Sequence, residues 1–175
     1  ATSLADIIER TTAIDHVYRD ALIAAPRIGG GEGHDQLDGT EDGDLVIGFA
    51  GDDRLDGLAG DDDLYGGAGD DTVFGGAGDD ALYGDGGNDS LLGGDGDDVL
   101  EGGDGFDVLV GGRGEDVLRG GEGTDIMVGG ADADSFIYGG GSDFVTDFAI
   151  GVDTLILAGD VAGGERRLSH HADFQ

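Results

Sequence analysis

The stretch Gly66-Gly67-Ala68-Gly69-Asp70-Asp71-Thr72-Val73-Phe74 is followed without a gap by Gly75-Gly76-Ala77-Gly78-Asp79-Asp80-Ala81-Leu82-Tyr83. The same period runs outward in both directions, giving twelve consecutive nonapeptides from Gly30 to Ile137 with no insertion or loss. Gly predominates at the first, second and fourth places. The sixth place is always Asp: Asp35, Asp44, Asp53, Asp62, Asp71, Asp80, Asp89, Asp98, Asp107, Asp116, Asp125 and Asp134. The eighth is always apolar: Leu37, Val46, Leu55, Leu64, Val73, Leu82, Leu91, Leu100, Leu109, Leu118, Met127 and Phe136. A fixed short period of this kind marks a repeat architecture, and it governs the reading of everything else.

Places one to six have a turn composition, because glycine reaches positive φ without a Cβ clash. Places seven to nine read as a short strand whose eighth residue faces away from its neighbours. One apolar residue per strand cannot form a core alone. Stacking a copy every second repeat gives a coil of eighteen residues per turn, with a parallel sheet on each side and a Leu/Val column between. Twelve repeats make six turns, a stack of roughly 28 Å at a strand spacing of about 4.7 Å.

Stacking also brings Asp onto Asp. Like charges this close repel unless cations lie between them. Hard cations such as Ca²⁺ take six to eight oxygens from carboxylates and carbonyls, and a glycine-rich turn lets its carbonyls approach an ion unobstructed. A loop of little but Asp and Gly is therefore a calcium loop on chemical grounds.

These residues resemble the RTX, or hemolysin-type, calcium-binding repeats over about 108 of the 175 residues. The resemblance implies an all-β parallel β-roll, a two-sheet right-handed solenoid, with each ion held between one loop and the loop two repeats later. The earlier loop is expected to give its Asp carboxylate and the carbonyls of its second and fourth places: Gly67 and Gly69, Gly76 and Gly78, Gly94 and Gly96, Gly103 and Gly105, Gly112 and Gly114. The later loop is expected to give its Asp and the carbonyls of its first and third places, such as Gly84 and Gly86 with Asp89. Twelve loops make at most ten such pairs, from Asp35 with Asp53 to Asp116 with Asp134. Asp42 and Asp132 replace the fourth-place Gly, and Thr40, Phe49, Leu58 and Asp85 the second, which strains a turn that needs positive φ.

The composition agrees. Forty acidic residues against eight Arg, with no Lys and no Cys, give a net charge of −32, which ten Ca²⁺ would reduce to −12. Without cations such self-repulsion and low hydrophobicity favour an unfolded chain, so folding is expected to be coupled to metal binding. The absence of Cys excludes disulfides and thiolate metal sites. The acidity excludes nucleic acid as a partner. No apolar stretch is long enough for a transmembrane segment, and no N-terminal secretory signal is visible. The resemblance implies export from a Gram-negative bacterium through a type I secretion apparatus, unfolded, to an extracellular medium where modular sites of about 10⁻⁴–10⁻³ M affinity fill.

The flanks differ from the repeats. In residues 1–27, Leu4, Ile7, Ile8, Ile14, Val17, Tyr18 and Leu22 recur at helical spacing, with Ser3/Asp6 and Thr12/Asp15 as capping pairs and Pro26 as the stop. This predicts a short helical cap on the open end of the roll or the end of an upstream domain, the cap being favoured. Residues 138–175 read as closing strands and a tail, similar to the flank of RTX proteases and lipases, in which Asp143, Asp147 and Asp153 are further ligand candidates beside a commoner turn role. The tail holds Arg166, Arg167, His170 and His171, read as solvated, and its Asp173-Phe174-Gln175 end matches a type I signal poorly, so the signal is expected beyond it. On the outer side of the strands from odd-numbered repeats, Phe74, Leu92, Val110 and Val128 with Val108 and Ile126 form an apolar stripe, the later part of which the C-terminal segment is expected to cover. The other sheet carries Tyr65, Tyr83, Glu101 and Arg119, a mixed and wet face.

No catalytic motif is present: no His-Glu-x-x-His helix, no Gly-x-Ser-x-Gly elbow and, without Lys, no phosphate loop. His16 and His34 have no partner constellation. Carboxylates repeated identically twelve times suit ligation, whereas acid–base catalysis needs distinct environments. The chain is read as a non-catalytic module. Its parent is either an extracellular hydrolase or polysaccharide-modifying enzyme, with the roll as accessory domain, or an adhesin or toxin in which the roll is a spacer.

Overall fold

The structure is a computed structural model that describes residues 27–157; the expected N-terminal helix and the tail after Leu157 lie outside these residues. The described chain is a run of strands: β1 (Arg27–Gly29), β2 (Gln36–Asp38), β3 (Leu45–Ala50), β4 (Arg54–Ala59) and β5 (Asp63–Ala68). It continues with β6 (Thr72–Ala77), β7 (Ala81–Gly86), β8 (Ser90–Asp95), β9 (Val99–Gly105) and β10 (Val108–Arg113). It ends with β11 (Val117–Gly123), β12 (Ile126–Ala131), β13 (Ser135–Tyr138), β14 (Phe144–Val145) and β15 (Thr154–Leu157). Among the described residues no helix is long and apolar enough to cross a membrane.

Successive strands alternate between two parallel sheets. One has eight strands, in the order β1-β3-β5-β7-β9-β11-β13-β15, and the other seven, in the order β14-β12-β10-β8-β6-β4-β2. Every strand from β2 to β12 pairs with the strand two later at an offset of eighteen residues, as in Val73↔Leu91 and Leu82↔Leu100. The chain is thus the expected all-β two-sheet solenoid. It has about seven turns rather than six, because three strands without the Gly/Asp signature join the stack: Ile28, Val145 and Leu155 pair with Val46, Met127 and Phe136.

Within the repeats the interior column is built from the eighth-place residues. Eleven of them, Val46 to Phe136, are at most 1 % exposed and form one continuous column between the sheets. Ile28, Leu37, Val145 and Leu155 are partly buried at its two ends. At the C-terminal end Phe148 packs on Phe136 with ring centroids 6.0 Å apart, closing the column.

From β3 to β12 the strands are longer than three residues. Places one to three continue each of them, so that β6 runs to Ala77, with Leu58↔Gly76 and Ala59↔Ala77 paired while the first-place Gly75 is skipped. Only places four to six make the turn. The reason is local: a left-handed second place, such as Gly76 at φ 122°, re-aims the backbone without ending the ladder.

The outer faces carry the remaining pattern. Tyr65 and Tyr83 stack at 4.6 Å with rings 8° from parallel, and Arg119 pairs with Glu101 at 3.1 Å. On the other sheet Arg54 lies 4.8 Å over the Phe74 ring and bonds Asp56 at 2.8 Å. Residues 138–157 do not cover the apolar stripe. They extend the two sheets instead, because Val145 and Leu155 complete the interior column, and Val110 and Val128 are half-buried by their neighbours in the sheet.

Candidate metal sites

The loops of odd and even repeats stack along opposite edges of the roll, and each edge carries one column of sixth-place Asp. From Asp44 to Asp134 all of these residues are at most 3 % exposed; Asp35 is half-buried. Their two carboxylate oxygens have different environments. From Asp53 to Asp134, Oδ1 accepts the main-chain N–H of the Asp eighteen residues earlier, as in Asp53 N–H to Asp71 Oδ1 at 2.7 Å and Asp71 N–H to Asp89 Oδ1 at 2.8 Å. Oδ2 of Asp53, Asp62, Asp71, Asp80, Asp89, Asp98, Asp107, Asp116 and Asp125 is buried with no donor.

A buried acceptor with nothing to accept from is costly, and it is a natural place for a cation. The neighbouring atoms are also oxygens. Beside the first-place glycine, the Oδ2 of the same loop meets the first-place carbonyl of the loop two repeats on. A Cβ on Gly84 would collide with Asp89 Oδ2 and lie 2.5 Å from Gly102 O; at Gly57 the same holds for Asp62 Oδ2, with Gly75 O at 2.6 Å. The missing Cβ keeps this space open. The second- and fourth-place carbonyls, including those of Gly69, Gly76, Gly78, Gly94, Gly96, Gly103, Gly105 and Gly112, face the matching Cα of the next turn, where a side chain would strike them. Gly67 and Gly114 hold the same left-handed conformation, at φ 111° and 123°. The third-place carbonyl of Gly86 sits in the main-chain ladder, accepting the Gly69 N–H at 2.9 Å, with its second lone pair left over.

Burial with too little compensation raises the carboxyl pKa values. Asp62, Asp89 and Asp98 are pushed from 3.8 to about 7, and Asp71, Asp80, Asp107 and Asp116 to about 6, chiefly by desolvation. The main-chain donor pulls each back in part, and neighbouring carboxylates of the column push most of them further up. A divalent ion would reverse this, holding the same groups ionised.

Asp143 and Asp153 continue the two columns, as their Oδ1 atoms face the N–H groups of Asp125 and Asp134 at 3.4 and 3.2 Å. Asp143 Oδ2 is buried without a donor, like those in the repeats. Asp153 Oδ2 instead accepts the Ala149 N–H at 2.6 Å, and Asp147 accepts Gly129 and Gly130 N–H at 3.0 and 2.9 Å.

The fifth place has a role not read from the sequence. Its side chains accept the N–H of the fifth residue one turn later, as in Asp70 N–H to Asp52 Oδ1 at 3.0 Å and Asn88 N–H to Asp70 Oδ1 at 2.8 Å. Enrichment in Asp and Asn there was the available signal, since these side chains replace main-chain acceptors in turns. This outer ladder runs opposite in direction to the inner one, so each turn is tied to both neighbours. His34 joins it, accepting the Asp52 N–H through Nδ1 at 3.1 Å.

Among the described residues no three His, Cys, Asp or Glu side chains converge. Any ion here takes most of its shell from carbonyls, and the all-oxygen donor set fits a hard cation. The fold and its edges define a class: a parallel β-solenoid whose stacked turns present oxygen cradles for divalent ions. The family model of the RTX calcium-binding nonapeptide repeat matches residues 29–64, 56–91, 92–127, 101–136 and 110–145. The chain belongs to that family, and its repeats form a non-catalytic calcium-binding module. Comparison with curated proteins returns no match.

Proposed function

We propose that residues 30–137 form a folding module that the extracellular medium switches on. The chain leaves a Gram-negative cell unfolded through a type I secretion apparatus, and calcium then fills the spaces between loops two repeats apart and condenses the roll. Residues 1–27 cap its N-terminal end or close an upstream domain, and residues 138–175 supply closing strands and a tail. The observation that carries this reading is the row of buried, donor-less Asp Oδ2 atoms along both edges. In low calcium those carboxylates face one another uncompensated in a chain of net charge −32, which opposes folding. With calcium the same oxygens become ligands, so binding free energy becomes folding free energy. The ligands are the sixth-place carboxylates and the loop carbonyls around them, with at most ten ions between the twelve loops. The module serves an extracellular enzyme or a surface protein by folding outside the cell and holding its neighbour clear of it.

Scattering from the whole chain tests this. A radius of gyration of about 44 Å in chelator, that of an unfolded chain of this length, should fall below about 20 Å in millimolar calcium. The same compact radius in both solutions would refute the switch.

A further inference from the structure

The left-handed turns start at the third repeat, not the first. From Phe49 and Leu58 onward every second place has positive φ, and from Gly51 and Gly60 onward so does every fourth. Gly31, Thr40, Gly33 and Asp42 do not. In the first two loops the second-place N–H therefore points back at the loop's own Asp. The Gly31 N–H donates to Asp35 Oδ2 at 2.7 Å, and the Thr40 N–H donates to Asp44 Oδ2 at 2.6 Å. The Thr40 hydroxyl donates to that same Asp44 oxygen at 2.9 Å. From Asp53 to Asp125 the equivalent oxygen has no donor.

The space beside the first-place glycine persists in these loops. A Cβ on Gly39 would lie 2.9 Å from Asp44 Oδ2 and 2.5 Å from Gly57 O. What differs is the charge presented there. An oxygen that already holds one or two N–H and O–H dipoles meets a cation with their positive ends, and those bonds must break before it can ligate. Asp44 Oδ1 is also buried without a partner. It is the atom that in later turns accepts the N–H eighteen residues earlier; that residue is Pro26, which has no N–H.

We infer that the loops opened by Gly30 and Gly39 are closed by their own donors and take no calcium. The pairs Asp35–Asp53 and Asp44–Asp62 are then ion-free, and calcium binding begins at Asp53–Asp71 and Asp62–Asp80. The hydroxyl and N–H of Thr40 stand where other loops put the ion, which makes the first turn a hydrogen-bonded terminus for a metal-bound stack. This rests on the calcium reading above.

Native mass spectrometry of the whole chain in saturating calcium separates the two. Asp44→Asn should carry as many ions as the parent chain, whereas Asp80→Asn should carry at least one fewer. An ion lost from Asp44→Asn would overturn the inference and leave the calcium reading standing; a parent chain that binds no calcium would overturn both. Should Asp44→Asn fail to fold, anomalous scattering from calcium-grown crystals of the parent chain decides. A peak between the loops of Asp53 and Asp71, with none between those of Asp35 and Asp53, is expected. A peak at the latter would refute the inference.

Discussion

The main-chain N–H of Asp71 reaches across one turn to Asp89 Oδ1 at 2.8 Å, while Asp71 Oδ2 beside it is buried with no donor. From Asp53 to Asp125 one oxygen of each column Asp thus fastens the stack while the other is left without a donor. If the second oxygen ligates an ion, removing the charge should be felt in both roles.

Asp89→Asn keeps an acceptor for the Asp71 N–H but puts a neutral amide where an ion needs charge. In saturating calcium it should lose on the order of 3 kcal/mol of stability, the usual cost of breaking a buried charge pairing. Urea unfolding of both chains in saturating calcium checks this. In chelator at neutral pH neither chain should show a folding transition, so the loss belongs to the calcium-bound state alone.

Acid should substitute for metal. Burial raises the folded-state pKa of Asp62, Asp89 and Asp98 to about 7 and of Asp71, Asp80, Asp107 and Asp116 to about 6, from 3.8. Between pH 4 and 7 the folded state therefore binds more protons than the unfolded one, and the stability of the metal-free roll falls as pH rises through that window. In chelator, far-UV circular dichroism should show more β structure at pH 5 than at pH 8. In calcium the trend should invert, because protons compete for the ligating oxygens.

Leu58 holds φ 78° and its side chain is exposed, so it keeps a left-handed turn with little packing in return. Leu58→Gly should raise stability by about 1 kcal/mol, read as an increase in thermal midpoint in calcium. Gly69→Ala should do the opposite: φ is 130° and a Cβ would strike the Gly51 carbonyl oxygen. A loss of at least about 2 kcal/mol is expected there.

In the interior, position along the column should set the cost. Leu82→Ala, at 0 % exposure with neighbours on both sides, should lose about 3 kcal/mol. Leu37→Ala, partly buried near the open end, should lose less than half of that, measured under the same calcium-saturated conditions.

Much of this was legible because the repeat ties one residue type to one environment. An unbroken Asp at place six and an apolar residue at place eight predict a column on each edge and one between the sheets, and Asp71 and Val73 occupy them. The parts that escaped lack that signature. Arg27–Gly29 joins a sheet through a single core residue and was not foreseen; Phe144–Val145 and Thr154–Leu157 were expected as closing strands, but without the repeat signature they were not counted as turns of the stack. The extra strand length at Gly75–Ala77 was hidden because glycine reads as turn, whereas at Gly76 it bends a strand that continues. The different first loops were visible only as Thr40 and Asp42 in place of Gly. Their consequence depends on where an N–H points, which composition does not encode.

A calcium titration followed by far-UV circular dichroism, with magnesium as control, tests the central claim most directly. The structure predicts a cooperative gain of β signal near millimolar calcium and none with magnesium, whose demand for tight octahedral geometry and retained waters does not suit cradles built mainly of carbonyls. A chain fully folded in chelator at neutral pH would contradict it, since the interior column would then hold the roll together against its own unpaired carboxylates.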